Sequence, residues 1–210
     1  MPYRIEAAAM CPPVEFVIID YNSRDDLWGY IQSLSLPKGV TLAFRRYTGR
    51  KYWHTAHAYN LAILASHGEY FSLMGADTFP KGMFFDYVRE RAKENYVWLE
   101  PTRLKGAITC FKPEFIACGG YDERFEFYGP EDRELANRLT LRGGKKGTIP
   151  SGLMGEFHTP DNLKVANSRI MEDKHTLSRM MRVYYEQSKR DRTVVANTDV
   201  EWGSWGVHYD

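Results

Sequence analysis

Four short stretches hold the residue types that could do chemistry. Asp77, in GADTFP, follows the apolar run YFSLM. A carboxylate at a strand end can bind a divalent cation, which in turn can hold a diphosphate; it can equally cap the turn before Pro80. His158, in EFHTPDN, can add an imidazole nitrogen to such a site or be a solvated loop residue. Glu131-Asp132 open a helical segment after Gly129-Pro130. Acids there complement the helix dipole, and one of them could act as a general base toward a hydroxyl, its position fixed by the helix start. Arg45–Trp53 (RRYTGRKYW) interleaves cations and aromatics, a mixture that grips phosphates, stacks on a base or forms a solvated loop. His54, His57 and His67 have no accompanying Cys or acid pattern, so they read as surface or substrate-lining side chains.

The elements that must position these residues follow from pattern. EFVIID (15–20) is a buried strand ending in a turn-forming YNS. Asp25 caps a helix over 26–34, and a second strand covers 40–45. TAHAYNLAILAS (55–66) is helical, with Gly68 at its stop. Strand 70–74 opens onto Gly75-Ala76-Asp77. A helix then runs from Pro80 to about Lys93, and 96–99 is a strand. This alternation predicts an α/β fold with a mostly parallel sheet and helices on both faces. In such sheets ligands bind beyond the carboxyl ends of the strands, where Asp20 and Asp77 both fall. The second half adds a strand at 107–111, a short helix at 113–118 and a turn at Gly119–Asp122. A helix at 131–142, a strand at 146–149 and a long helix at 168–187 follow. The tail from Asp191 to Asp210 could dock on the core, pair with another subunit or stay loose.

The 210 residues carry 28 Lys+Arg against 27 Asp+Glu, so no global field draws the chain to nucleic acid or anionic membrane. The apolar runs are far short of the ~20 residues that span a bilayer, and the start has no signal-like apolar segment. Three cysteines without CxxC spacing argue against a disulfide framework or structural zinc and suit a reducing, cytoplasmic setting. With no repeat or linker visible, the chain reads as a single domain, 1–210: a nucleotide-binding half to residue 100, an acceptor and catalytic half over 101–165, and a C-terminal helix and tail over 166–210.

Together, EFVIIDYNSRDDLWGYI, HAYNLAILASHGEYFSLMGAD, FKPEFIACGGYDERFEFYGPEDRELANRL and EFHTPDN resemble an A-type (GT-A, Rossmann-like) glycosyltransferase of the family-two kind with a galactosyltransferase-like C-terminal block. The resemblance implies donor binding by Asp20, Asn22, Asn60 and Asp77, with Asp77 as the last Asp of the acidic metal motif. It implies His158 as the second metal ligand, Asp132 as catalytic base and Glu131 as an acceptor-binding acid. Gly120, Tyr121, Asp122 and Glu123 would shape the acceptor side. Gly75 stands where the motif's first Asp is usual, and the strand that would precede Tyr3–Met10 is missing. The expected activity is an inverting transfer from a nucleotide-sugar, with UDP as the nucleotide and Mn²⁺ or Mg²⁺ as cofactor, to a saccharide, lipid-linked or nucleic-acid acceptor. The alternatives are a transferase that modifies hydroxylated DNA bases and an inactive binding module of the same fold.

Overall fold

A computed structural model describes residues 1–104 and 106–206; the last four residues of the tail lie outside that range. Helix α1 (Pro2–Met10) leads into β1 (Val14–Tyr21), and α2 (Leu27–Gln32) crosses to β2 (Val40–Tyr47). β1 and β2 pair in parallel over their whole length, Val14 opposite Val40 through Tyr21 opposite Tyr47. α2 is capped by Asp26, not Asp25: its carboxylate accepts the Gly29 amide at 2.9 Å, because the first helical residue is Leu27. Helix α3 (Thr55–Leu64) ends at Ala65, three residues before Gly68, with a right-handed cap that needs no glycine.

β3 (Tyr70–Leu73) follows, and the next element differs from the pattern. Thr78–Pro80 is not the start of a helix but a short strand, β4, which pairs with β8 (Met154–Glu156). Phe79 packs on Phe157 and Tyr3, and Pro80 ends the strand, where its missing N–H costs little. Helix α4 therefore begins at Phe84 and ends at Lys93. β5 (Trp98–Pro101), β6 (Ile108–Phe111), α5 (Lys112–Ala117), α6 (Glu131–Leu141) and β7 (Lys146–Ile149) complete the central part. A short α7 (Asp161–Lys164) precedes α8 (Lys174–Arg190). α8 starts six residues later than its apolar spacing suggests, because the Asp173 carboxylate caps the amides of His175 and Thr176.

The class is α/β as expected, but the pairing is mixed rather than mostly parallel. The four-stranded sheet has the order β3-β6-β5-β7, with β6 antiparallel to both neighbours and β7 parallel to β5. The loop between β5 and β6 is too short for a parallel crossover, so the chain can only fold straight back. The principal core joins α3, α5, α6 and α8 to this sheet through Phe71, Trp98, Phe115, Phe125, Leu135 and Leu177. The tail docks on it. Trp202 meets Phe115 edge-on, and Asn197 donates to the carbonyls of Gly119 and Tyr121 while accepting the Glu123 amide.

Candidate functional site

A cleft of about 1850 Å³ opens beside the carboxyl end of β3. Its walls bring together Asp77, from the loop after β3, with Glu131 and Asp132, from the first turn of α6. Trp53 and Tyr59 add aromatic surface, and Lys164 reaches in from α7. Residues 77 and 132 thus both line this cleft.

The Asp77 loop is held from below. The half-buried Arg4 guanidinium donates to the carbonyls of Gly75, at 2.6 Å, Ala76 and Thr78. The Phe157 amide donates to the Asp77 carbonyl at 2.7 Å, which extends the β4–β8 ladder by one bond. The Asp77 carboxylate is half-exposed and lies 3.4 Å from the Lys164 ammonium. A Cβ on Gly75 would sit 2.8 Å from an Asp77 carboxylate oxygen, so a side chain there would turn the Asp77 carboxylate aside. His158 follows Phe157 in an exposed loop.

The acid pair sits at a helix start whose peptide dipoles favour negative charge. The Gly129 amide donates to Glu131 at 3.2 Å, and the Gly106 amide to Asp132 at 3.1 Å. Burial, with the neighbouring Asp132 charge second, pushes Glu131 up to about 8. Burial also raises Asp132, against opposing backbone amides and Arg133. Burial raises the Tyr59 phenol strongly, helped by the charges of Glu131, Asp132 and Asp77, so one ring lies in the field of all three acids. At neutral pH Glu131, held at about 8, keeps its proton, and burial biases Asp132 in the same direction.

The other expected site residues lie elsewhere. Asp20 is buried, accepts the Ser23 amide at 2.8 Å and lies 3.4 Å from Arg46, so it closes its own turn rather than facing the cleft. Asn22 donates to the Arg50 carbonyl from a left-handed backbone position. Asn60 is fully buried: its amide donates to the Tyr121 carbonyl and Glu123 carboxylate and accepts the Tyr121 amide. It is a lock for the 119–123 turn, not a donor-binding group. In that turn Gly120 has φ +69°, and a Cβ there would meet Trp202 at 2.4 Å. Tyr121 is buried, Asp122 is spent on Arg124 through both oxygens, and Glu123 binds Asn60 and the Gly203 amide. These four shape the site from behind and do not reach the cleft. His54 and His57 are buried too: His54 caps α3, and His57 bridges the Tyr21 hydroxyl and the Ser204 carbonyl.

Arg4 and Lys164 stand out only in the structure. So does the fully buried pair of Arg138 and Glu134 on α6, where Arg138 also donates to the carbonyls of Cys118 and Gly120. An i,i+4 acid and base on a helix is the spacing of an ordinary surface pair; what marks this one is that the opposite turn of chain covers it.

Residues 93–161, about a third of the chain, match the family model described as the N-terminal domain of galactosyltransferase. No curated protein sequence matches the chain. Among solved structures, a mannosyltransferase from Pyrobaculum calidifontis in complex with GDP-Man and Mn²⁺ superposes with TM-score 0.59 and 16% identity, over 79% of this chain. This chain spans 55% of that protein's length. Glucosyl-3-phosphoglycerate synthase from Mycobacterium tuberculosis, in complex with Mn²⁺, UDP and phosphoglyceric acid, superposes with TM-score 0.56 and 13% identity, over 94% of this chain and 76% of that one. With its α/β layers, its galactosyltransferase-type segment and these superpositions, the chain has the GT-A glycosyltransferase fold.

Proposed function

We propose that this protein transfers a sugar from a nucleotide-sugar, with UDP as the nucleotide, to an acceptor hydroxyl, inverting the anomeric carbon. The observation that carries this reading is the shared cleft: Asp77 and the Glu131-Asp132 pair, distant in sequence, line one space, and the Tyr59 ring in the same wall feels the charge of all three. The family segment and the nucleotide and Mn²⁺ held by the two solved structures support it.

The donor's diphosphate belongs beside Asp77 and Lys164, and the acceptor beside α6. The acceptor oxygen forms its bond to the anomeric carbon as the bond to the leaving phosphate breaks, and the hydroxyl proton passes to Asp132. Protonated Glu131 holds the acceptor oxygen as a hydrogen-bond donor. One base and no nucleophile near the sugar give a single displacement, hence inversion. Asp77 and His158 are the residues that would hold Mn²⁺ or Mg²⁺. No group of three His, Cys, Asp or Glu capable of holding a metal occurs among the described residues. With two protein ligands, such an ion would take its remaining oxygens from phosphate and water. When bound, such an ion offsets the charge that develops on the leaving diphosphate.

We also keep the chain as one functional unit, 1–210. The cytoplasmic assignment rests on three free, buried cysteines; no helix among the described residues is long and apolar enough to cross a membrane. A saccharide or lipid-linked acceptor is favoured over DNA, because Trp53 is the one member of the basic-aromatic run on the cleft among the described residues.

The test is a donor screen that reads released nucleotide, with Mn²⁺, Mg²⁺ or EDTA, in wild type and Asp132→Asn. A 10²–10⁴-fold loss of transfer with donor binding retained supports the base; full transfer removes it. Turnover in metal-stripped protein removes the metal. Neither UDP binding nor nucleotide release leaves the inactive-module reading, and a steep salt dependence of DNA binding supports the DNA-modifying one.

A further inference from the structure

Around the start of α6 the cleft wall carries two cations that have no partner among the described residues. α6 and α8 pack side by side and run in the same direction. A Cβ on Gly129, just before α6, would meet the Met181 Cβ at 2.5 Å, and further along the Ser188 hydroxyl donates to Glu134 at 2.7 Å. Arg182 follows Met181 and so stands beside the turn that opens α6, while Arg133 lies in the first turn of that helix. Both arginines line the cleft. Ser178, one turn before Arg182 on the same face of α8, lines it with them.

Most other cations of these two helices are spent on carboxylates. Arg138 pairs with Glu134, Arg142 with Glu114, Lys174 with Asp161 and Lys189 with Glu186. Arg133, Arg179 and Arg182 have no ion pair or side-chain hydrogen bond among the described residues, and of these Arg133 and Arg182 are on the cleft. The acids of the same wall do little to offset them. Asp132 feels the Arg133 charge, but one of its oxygens is taken by the Gly106 amide, and Glu131 keeps its proton at neutral pH.

We propose that the accepting molecule carries a phosphate group, bound by the Arg133 and Arg182 guanidinium groups and the Ser178 hydroxyl. The proposal rests on the transfer reading and names the chemistry of its acceptor. Two guanidinium forks from two helices, with a hydroxyl beside them, present donors to the several oxygens of one phosphate. Their two charges match the near-double charge of a phosphate monoester or a diphosphate, whereas a carboxylate is satisfied by one fork. Arg133 follows Asp132 directly, so the anion is held close to the carboxylate that takes the hydroxyl proton. The donor's diphosphate belongs beside Asp77 and Lys164 and leaves these two arginines to the acceptor. A soluble sugar phosphate and a lipid diphosphate offer the same chemistry.

The experiment modifies the full chain with phenylglyoxal and reads each arginine by peptide mass spectrometry while inorganic phosphate is titrated in. At about ten times its Kd, phosphate should slow modification of Arg133 and Arg182 roughly tenfold, with one shared midpoint, and leave Arg179 unchanged. Glucuronic acid should protect more weakly. In Arg182→Gln the protection of Arg133 should be lost, and in Arg133→Gln that of Arg182; both positions are exposed, so the fold tolerates the change. No protection, equal protection of Arg179, equal protection by glucuronic acid, or protection that survives in the partner variant would overturn the proposal. So would displacement of phosphate by UDP at the level that fills the UDP site, because the arginines would then serve the donor. Glucose 6-phosphate and citronellyl diphosphate, titrated in the same way, separate the two sources: the one that protects at lower concentration identifies the acceptor class. If UDP binds and phosphate does not protect, this inference fails alone. If phosphate protects and UDP does not bind, the transfer reading fails and the anion site stands.

Discussion

Glu131 gives the sharpest quantitative expectation. Its carboxyl is held at about 8, against an ordinary value of 4.5, by burial and by the charge on Asp132. A raised carboxyl keeps its proton longer in the folded chain than in the unfolded one. Over that interval the native state binds more protons, so stability must fall as pH rises. The contribution is neutral below about pH 4.5 and reaches its full cost above about pH 8. At 1.36 kcal/mol per pH unit this approaches roughly 5 kcal/mol, a large share of a typical domain's stability. Glu131→Gln keeps the shape and an acceptor oxygen for the Gly129 amide but cannot ionise. Urea unfolding of both proteins at pH 5, 6.5 and 8 should show near-equal stability at pH 5. The variant should become progressively more stable, by several kcal/mol at pH 8. Asp132→Asn should recover part of the same slope, because it removes the second cause of the raised value. A wild type–variant difference that stays flat from pH 5 to 8 would refute the claim that this carboxyl is buried and uncompensated.

Other expectations follow from the same geometry. Arg138→Met strands the Glu134 charge in the core and should cost about 3–5 kcal/mol in chemical denaturation, whereas pairing it with Glu134→Leu should recover much of the loss. Gly120→Ala forces a side chain into a left-handed backbone position and against Trp202; it should lower stability by at least ~1 kcal/mol, read as a drop in Tm. Asn60→Ala takes the partner from the Tyr121 amide and leaves the Tyr121 carbonyl to Asn197 alone; it should cost about 1–3 kcal/mol without altering the cleft's acids. Lys164→Ala frees the Asp77 carboxylate, so calorimetry should show weaker UDP binding without metal and a larger gain when Mn²⁺ is added.

Much of this layout is legible in the residues. The apolar run 16–19 and the string 55–64 announce a strand and a helix because their patterns reflect burial that the fold then imposes. Glu131-Asp132 could be singled out as adjacent acids after Gly129-Pro130, although the helix dipole alone also favours acids there. The partners of individual polar groups were not legible. Asn60 and Asn22 follow or sit in the right segments, yet their amides are consumed by turns whose approach only the three-dimensional path decides. Pro80 misled because proline opens helices and ends edge strands alike, and the choice was made by Met154–Glu156, some seventy residues away. The buried Arg138–Glu134 pair looks like any solvent-facing pair until Cys118 and Gly120 close over it.

The docked tail has a consequence for how the molecule is made. The 119–123 turn has its carbonyls and an amide satisfied by Asn197, 74 residues further along from Glu123. At synthesis rates of about 5–20 residues per second, that partner leaves the ribosome roughly 4–15 s after the turn does. Throughout that interval the Gly119 carbonyl and the Glu123 amide lack the partner that Asn197 later supplies. The cleft's rear wall is thus finished last, and a nascent chain halted short of Asn197 would present this turn to chaperones instead of to its own core.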